Sequence, residues 1–192
     1  MFAELLAARL AGIVELGPEQ VRLLEAHYRL LELWNRTINL SAITGLEECV
    51  ERHYCEALFL GAHLPAGPLR IADVGSGAGF PGLPVAVLLP ECSVTLIESH
   101  QRKSVFLREA SRGLRNVRVI AKRAQDVTEG FDVAISRAVS YKDLTRTLKG
   151  LAPTADLLSG AEKPPPEMGF EWKEPVPLPW GKARFLWTGT RM

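Results

Sequence analysis

The 192-residue chain carries 47% hydrophobic and 23% charged residues with a net charge of +1, the composition of one globular domain with a small appendage. No apolar run approaches the roughly 20 residues that a membrane span needs, and the near-zero net charge argues neither for nor against a nucleic-acid partner. Cys49, Cys55 and Cys92 are odd in number and scattered, which predicts reduced thiols in a cytoplasm; no Cys/His group has zinc spacing, so no metal is expected.

Met1 to Gly12 reads as a short helix; Glu4 and Arg9 break its apolar stretch, which argues against a secretory leader. Pro18 to Asn35 predicts a second helix, with Pro18 in the first turn and Val21, Leu24, Tyr28, Leu31 and Trp34 at helical spacing. Arg36 to Gly45 reads as a loop. Leu46 to Leu60 predicts a third helix, with Leu46, Val50, Tyr54 (or His53), Ala57 and Leu58 on one side. Pro65-Ala66-Gly67-Pro68 is the clearest break, dividing a helical cap (1–64) from a body (69–192).

The body alternates strand and helix. Strands are predicted at Arg70 to Val74, Ser93 to Glu98, Val117 to Ala121 and Phe131 to Ile135, with helices at Pro81 to Leu89, Gln101 to Leu114 and Leu144 to Lys149. Near-continuous apolar strands in that alternation indicate a buried, mostly parallel sheet flanked by helices, an α/β fold. Ala155 to Leu158 reads as a further strand, Lys163 to Glu167 as a loop, and Phe170 to Val176 with Arg184 to Thr188 as a closing antiparallel pair. No apolar helix stripe is left over, which predicts a monomer.

Charge is unevenly spread. Eight basic residues (Arg102, Lys103, Arg108, Arg112, Arg115, Arg118, Lys122 and Arg123) and one acid, Glu109, fall between Gln101 and Arg123, whereas Met1 to Leu60 holds five basic and nine acidic residues. Such asymmetry can focus a polyanion on one face, but on charge alone a solvated helix face plus a loop is the better explanation.

The densest signal is Asp73-Val74-Gly75-Ser76-Gly77-Ala78-Gly79-Phe80-Pro81-Gly82, a strand that ends in a glycine loop and opens a helix. Residues 77–82 match the dinucleotide pattern G-x-G-x-x-G, a weak signal alone. The register starting at Asp73 instead gives D-x-G-x-G-x-G, the arrangement of Rossmann-like S-adenosylmethionine methyltransferases. An acid there suits a cationic ligand with an α-amino group and a sulfonium, and opposes a pyrophosphate. Glu98 ends the next strand, where an acid accepts hydrogen bonds from ribose hydroxyls.

The loop and its surroundings resemble the bacterial family called RsmG or GidB, which methylates N7 of a guanosine in small-subunit (16S) ribosomal RNA. Leu33-Trp34-Asn35-Arg36 with Ile38-Asn39-Leu40-Ser41, Arg52-His53, the run Asp73 to Pro84, Arg102-Lys103 with Phe106-Leu107, Arg123-Ala124-Gln125 and Ser136-Arg137-Ala138 resemble its ordered elements, with Pro81 and Pro84 the distinguishing pair. The sequence departs from the family pattern at Glu56, where aspartate is usual, at Gln125, where an acid is usual, and at Ser159, where lysine is usual.

The resemblance implies a class I methyltransferase body with S-adenosyl-L-methionine as cofactor and 16S ribosomal RNA or the small ribosomal subunit as partner. Gly75, Gly77 and Gly79 would serve the methionine part, Phe80 would pack on the cofactor, Glu98 would hold the ribose, and Ala124 and Gln125 would read adenine. Arg137 would stand near the methyl-transfer point, the best candidate for a catalytic group in a reaction run by alignment. Arg52, His53 and Arg123 are candidates for RNA contact. Each has a plainer reading: His53 as a hydrogen-bonded cap residue, Arg123 and Arg137 as surface charges, Phe80 as packing, and Trp34 and Asn35 as locks between cap and body. The rival functions are a nicotinamide oxidoreductase, an RNA- or ribosome-binding protein that keeps the cofactor fold without turnover, and a small-molecule methyltransferase.

Overall fold

A computed structural model describes residues 1–192. Five parallel strands form its centre: β1 (Arg70–Val74), β2 (Ser93–Ile97), β3 (Val117–Ile120), β4 (Val133–Arg137) and β5 (Thr154–Ser159). β1 lies between β2 and β4, with Asp73 opposite Leu96 on one side and Ile135 on the other. The C-terminal β8 (Phe185–Arg191) runs antiparallel to β5, then pairs with β6 (Phe170–Trp172) and β7 (Val176–Pro177). The order β3-β2-β1-β4-β5-β8-β6 reverses direction between β1 and β4. That switch point opens a crevice beyond the carboxyl ends of the strands, where open α/β sheets bind ligands.

Each sheet face builds its own core. Ile71, Leu96 and Ile135 face one way and join the buried cap residues Leu6, Leu24 and Tyr54 and the helix residues Leu83 and Phe106 in one apolar cluster. Ala72, Val74, Ala134 and Leu157 face the other way and meet Leu148, Phe170 and Trp187. The first face is covered by α1 (Phe2–Leu10), α2 (Pro18–Asn35), α5 (Gly82–Leu88) and α6 (Gln101–Ala110); the second by the short α7 (Tyr141–Thr145) and α8 (Leu148–Leu151). Gln20 ties the cap down: its Oε1 accepts from Gly17 N at 2.8 Å and its Nε2 donates to the Val87 carbonyl at 3.0 Å. No helix is long and apolar enough to cross a membrane.

The predicted elements form, with shifts that matter. The third cap helix extends further than predicted, as α3 (Leu46–Cys49), a π-helical turn (Val50–Cys55) and α4 (Glu56–His63). β4 starts and ends two residues later than predicted, so Arg137 is the last residue of the strand. The helix predicted at Leu144 to Lys149 is divided into α7 and α8, and α6 stops at Ala110. The closing antiparallel pair forms, with β8 inserted between β5 and β6.

Candidate functional site

Where β1 ends, the chain needs backbone conformations that L side chains avoid. Gly75 and Gly79 have φ of +73° and +91°; a Cβ at Gly75 would lie 2.6 Å from Val139 Cγ2, and one at Gly79 would collide with Leu83 Cδ1. Ser76 closes the turn by donating its hydroxyl to the Asp73 carbonyl at 3.0 Å. Phe80 follows through a cis bond to Pro81, which sits at the N-cap of α5.

The loop forms one wall of a cleft of about 560 Å³ at the carboxyl edge of the sheet, a size typical of small-ligand sites. Gly75, Gly77, Ala78, Phe80 and Glu98 line this wall. The cap supplies the opposite wall, from Leu40 to Ile43 with Arg52 and His53, and Lys103 and Arg137 to Val139 complete the lining. Of the predicted residues, Gly75, Gly77, Phe80, Glu98, Arg137, Arg52 and His53 therefore meet in one place.

Others do not reach it. Gly79 faces Leu83 and His27 beneath the loop. Ala124 and Gln125 form a short 3₁₀ turn after β3, with Gln125 exposed, and neither belongs to the cleft wall; Arg123 is exposed beside them. Asp73 also faces away from the cleft. Its parity on β1 matches Ile71 and turns it to the cap side of the sheet, between Leu96 and Ile135. The carboxyl is wholly buried, its Oδ2 accepts from Gly82 N at 3.0 Å, and its Oδ1 has no partner. Burial pushes it up to about 7, against the Gly82 N–H, which favours the charged form. Asp73 anchors the first turn of α5 and is not part of the cleft wall.

Glu98 is the acid that lines the cleft. Its Oε2 accepts from Gly77 N at 2.9 Å and its Oε1 from His100 N at 2.7 Å. Two backbone donors fix the carboxylate, and each oxygen keeps a further lone pair for a donor such as a hydroxyl.

Arg137 stands opposite. Nη2 lies 2.6 Å from His53 Nδ1, Nη1 donates to the Arg52 carbonyl, and Glu56 Oε2 is 3.9 Å from Nη1. The side chain is 13% exposed and its guanidinium lies 5.8 Å from the centre of the Phe80 ring. Burial lowers it to about 10, with Glu56 opposing, so it stays charged. The plainer reading of Arg137 as a surface charge on a loop does not hold. The π-helical turn explains the reach: its looser winding places Arg52 and His53 on the cleft and leaves the Arg52 carbonyl to accept from Arg137.

His53 is set by its neighbours. A guanidinium can only donate, so Nδ1 is the acceptor and the proton is on Nε2, which lies 2.7 Å from Ser41 Oγ. The ring stacks on Phe80 at 4.6 Å with a 20° interplanar angle. Burial, reinforced by the Arg137 charge, holds the imidazole down at about 3. Ser41 in turn belongs to a loop clamped by Asn35, whose Oδ1 accepts from Leu40 N (2.9 Å) and Ser41 N (3.0 Å) and whose Nδ2 donates to Ser41 O (2.9 Å). Trp34 meets Phe106 of α6 edge-on at 5.7 Å and ties the cap to the body, whereas the Asn35 bonds all stay within the cap. His27, not singled out in the sequence, lies under the loop between Ala78 and Tyr54. Lys103 enters the cleft from the first turn of α6; the sequence marks it within a basic run and within a family-like element, without a site role.

Residues 20–156 match the family model of GidB, rRNA small subunit methyltransferase G. The chain belongs to that family. Proteins named ribosomal RNA small subunit methyltransferase G are similar to it: one from Halorhodospira halophila is 43% identical over 130 residues, 66% of this chain and 61% of the relative. One from Nitrosospira multiformis is 44% identical over 138 residues, 67% of this chain and 62% of the relative. The matched region thus spans about three fifths of the length of these curated relatives. Among solved structures, a SAM dependent methyltransferase from Aquifex aeolicus aligns with a TM-score of 0.60 at 18% identity, covering 86% of this chain and 98% of that one. Fibrillarin from Aeropyrum pernix, solved with natively bound S-adenosyl-L-methionine, aligns at 0.53 and 18%, covering 70% and 72%. These likenesses establish the Rossmann-like methyltransferase fold.

Proposed function

We propose that the protein transfers a methyl group from S-adenosyl-L-methionine to N7 of a guanine in small-subunit ribosomal RNA. The observation that carries this reading is the cleft at the β1/β4 switch point, glycine-walled on one side and arginine-walled on the other, in a chain of this family. The cofactor supplies an electrophilic methyl on a sulfonium. Gly75 and Gly77 give bare backbone for its methionine part, Phe80 an apolar surface and Glu98 an acceptor for ribose hydroxyls; the adenine end would extend along the sheet edge toward Ala124 and Gln125. The residues fit such a group: a Cβ on Gly77 would meet only the Gly75 carbonyl within 4 Å, so that backbone faces open space, and the Glu98 carboxylate is held by two backbone donors with lone pairs to spare.

A dinucleotide fits less well. Its pyrophosphate seeks a helix N-terminus, but the first N–H of α5 is already answered by Asp73, a buried carboxyl that would oppose a phosphate. Guanine N7 carries a free lone pair and no proton, so its methylation needs no general base, and alignment of N7 with the methyl carbon supplies the catalysis. The cleft suits this: both ring nitrogens of its one histidine, His53, are engaged within the protein. In an RNA helix N7 lies in a groove that side chains cannot read, so the target base must be splayed or single-stranded. Arg52 on the cap wall, Lys103 in the cleft and Arg123 on the same sheet edge would meet phosphates, and the protein would act in the cytoplasm as a monomer without a metal.

The test has two arms. Titration calorimetry should show S-adenosylmethionine binding and no comparable NADH binding; the reverse would favour an oxidoreductase. Radiolabelled methyl transfer should appear on unmethylated small subunits or naked 16S RNA, mapping to a guanine N7. Binding of cofactor and RNA without incorporation would make the protein a non-catalytic binder.

A further inference from the structure

Arginine normally reads guanine by donating to O6 and N7 together. In a reaction where N7 is the nucleophile, that fork would occupy the lone pair that must attack. Arg137 is not free to form it unhindered. Nη1 is engaged by the Arg52 carbonyl and Nη2 by His53 Nδ1, at 2.6 Å, and the guanidinium rests beside Phe80. Both contacts come from successive residues of the π-helical turn, so the cap dictates how a β4 residue presents itself to the cleft.

We propose that His53 is a positioning residue that holds Arg137 so that its remaining N–H groups meet O6 of the acceptor guanine and leave N7 unengaged. The inference rests on the guanine-N7 reading above and assigns the means of acceptor selection within it. Three features support it. The Arg137 charge excludes protonation of Nδ1, so His53 acts as an acceptor toward Arg137 whenever that contact is made. The opposite nitrogen is anchored on Ser41, itself clamped by Asn35. The ring is stacked on Phe80, which leaves the imidazole no freedom to swing. Acceptor, anchor and stack together define one direction for the guanidinium.

Asparagine and glutamine separate these parts. In His53→Asn the side-chain oxygen can take the place of Nδ1 and accept from Arg137, while the contact to Ser41 is lost. In His53→Gln the terminal amide can take the place of Nε2–H and donate to Ser41, while the acceptor for Arg137 is lost. Both lose the stack on Phe80 alike, so their difference isolates the bond to Arg137. Cofactor affinity, single-turnover methyl transfer to small subunits, and the ¹⁵N spectrum of the Arg137 guanidinium are measured for wild type and both variants, with Arg137→Lys identifying the Arg137 signal by its loss.

Cofactor dissociation constants should stay within about threefold for all the histidine variants. Transfer by His53→Asn should remain within about tenfold of wild type, and that by His53→Gln should fall about 100-fold, the scale of a misaligned reacting group. A slowly exchanging, resolved Arg137 guanidinium signal should persist in wild type and His53→Asn and vanish in His53→Gln. Equal losses in the two variants with an unchanged Arg137 signal would overturn the proposal and make His53 a packing residue. If the wild type binds cofactor but methylates no guanine, the functional reading fails; the guanidinium spectra still decide whether His53 positions Arg137.

Discussion

His27 Nε2 lies 3.0 Å from the carbonyl oxygen of Ala78, so a histidine on α2 supports the glycine loop from beneath. A carbonyl cannot donate, so the proton is on Nε2, and Nδ1, 3.0 Å away, accepts from the Tyr54 hydroxyl. Three parts of the chain thus meet at one neutral imidazole, only 6% exposed. Replacing His27 by alanine should leave the Ala78 carbonyl and the Tyr54 hydroxyl unpartnered and open a cavity, lowering stability by about 2–4 kcal/mol. Denaturant midpoints at constant m-value measure the loss. A change below about 0.5 kcal/mol would show that the loop does not depend on this support.

The same burial holds His27 down at about 4. A histidine whose folded pKa lies below its unfolded value of about 6.5 gives stability that is fully present above pH 6.5 and is lost as pH falls toward 4, about 3 kcal/mol in all. His53 acts in the same direction down to about 3. In an NMR titration, the ring signals of both residues should keep their neutral positions at pH 5.5. Movement of either near pH 6.5 would contradict the neutral, doubly bonded state.

Asp73 has the opposite sign. Its folded pKa, about 7, is raised above the unfolded value near 3.8, so its contribution is fully present below pH 3.8 and is lost as pH rises through 7. Asp73→Asn removes that dependence. The variant should gain about 4 kcal/mol relative to wild type between pH 3.5 and pH 8, the span of the shift. A stability difference that stays constant over this range would show that Asp73 does not titrate in the fold. Because the aspartate opposes two histidines between about pH 4 and 6.5, the wild-type profile should be flatter than that of Asp73→Asn, and His27→Ala, which leaves His53 alone against Asp73, should be flatter still.

These groups show where the sequence was legible. Apolar strands alternating with helices dictate a parallel sheet, and glycines after β1 dictate a tight loop, so the architecture and one cleft wall followed from local pattern. Which way a polar side chain faces depends on strand parity. Asp73 shares the parity of Ile71, an apolar position that pointed to its burial, but a strand-end acid beside glycines invites a ligand role. His27 lies three residues after Leu24 and four before Leu31, which places it on the buried stripe of α2; its polarity masked it. Arg137 joined β4 although Ser136-Arg137 breaks the apolar run, because Ser136 donates its hydroxyl to the Val74 carbonyl at 2.8 Å and satisfies its own burial. The π-helical turn that turns Arg52 and His53 to the cleft has no signature in local spacing; it depends on contacts across the fold.

Glu56, where the family pattern has aspartate, is 2% exposed and grips Arg184 with both oxygens, at 3.1 Å to Nε and 2.6 Å to Nη2. The pair fastens α4 to the segment leading into β8, and the extra methylene of glutamate over aspartate contributes reach. Removing the charge with Glu56→Gln leaves Arg184 and the neighbouring Arg137 without their counter-ion. The expected loss is about 3 kcal/mol, the low end of the cost of an uncompensated buried charge because Arg184 is 23% exposed, with a modest dependence on salt. Urea unfolding at low and high ionic strength measures both. A loss under 1 kcal/mol would place the pair with exposed ion pairs, which contribute little.

Two glycines of the loop should answer differently to the same substitution. At Gly79, φ is +91° and a new methyl would collide with Leu83 Cδ1 and lie 3.4 Å from His27 Nε2, so Gly79→Ala should cost about 2–4 kcal/mol through strain and overpacking. At Gly77, φ is +56° and a methyl would meet nothing closer than the Gly75 carbonyl at 3.8 Å. Gly77→Ala should therefore cost only the left-handed penalty of about 1–2 kcal/mol. Gly77 lines the cleft, however, and its methyl would occupy space assigned to the methionine part of the cofactor. Calorimetry should find S-adenosylmethionine affinity reduced at least tenfold in Gly77→Ala, with thermal unfolding changed by a few degrees. An unaltered affinity would move the cofactor away from Gly77, and with it the orientation proposed for the whole cleft.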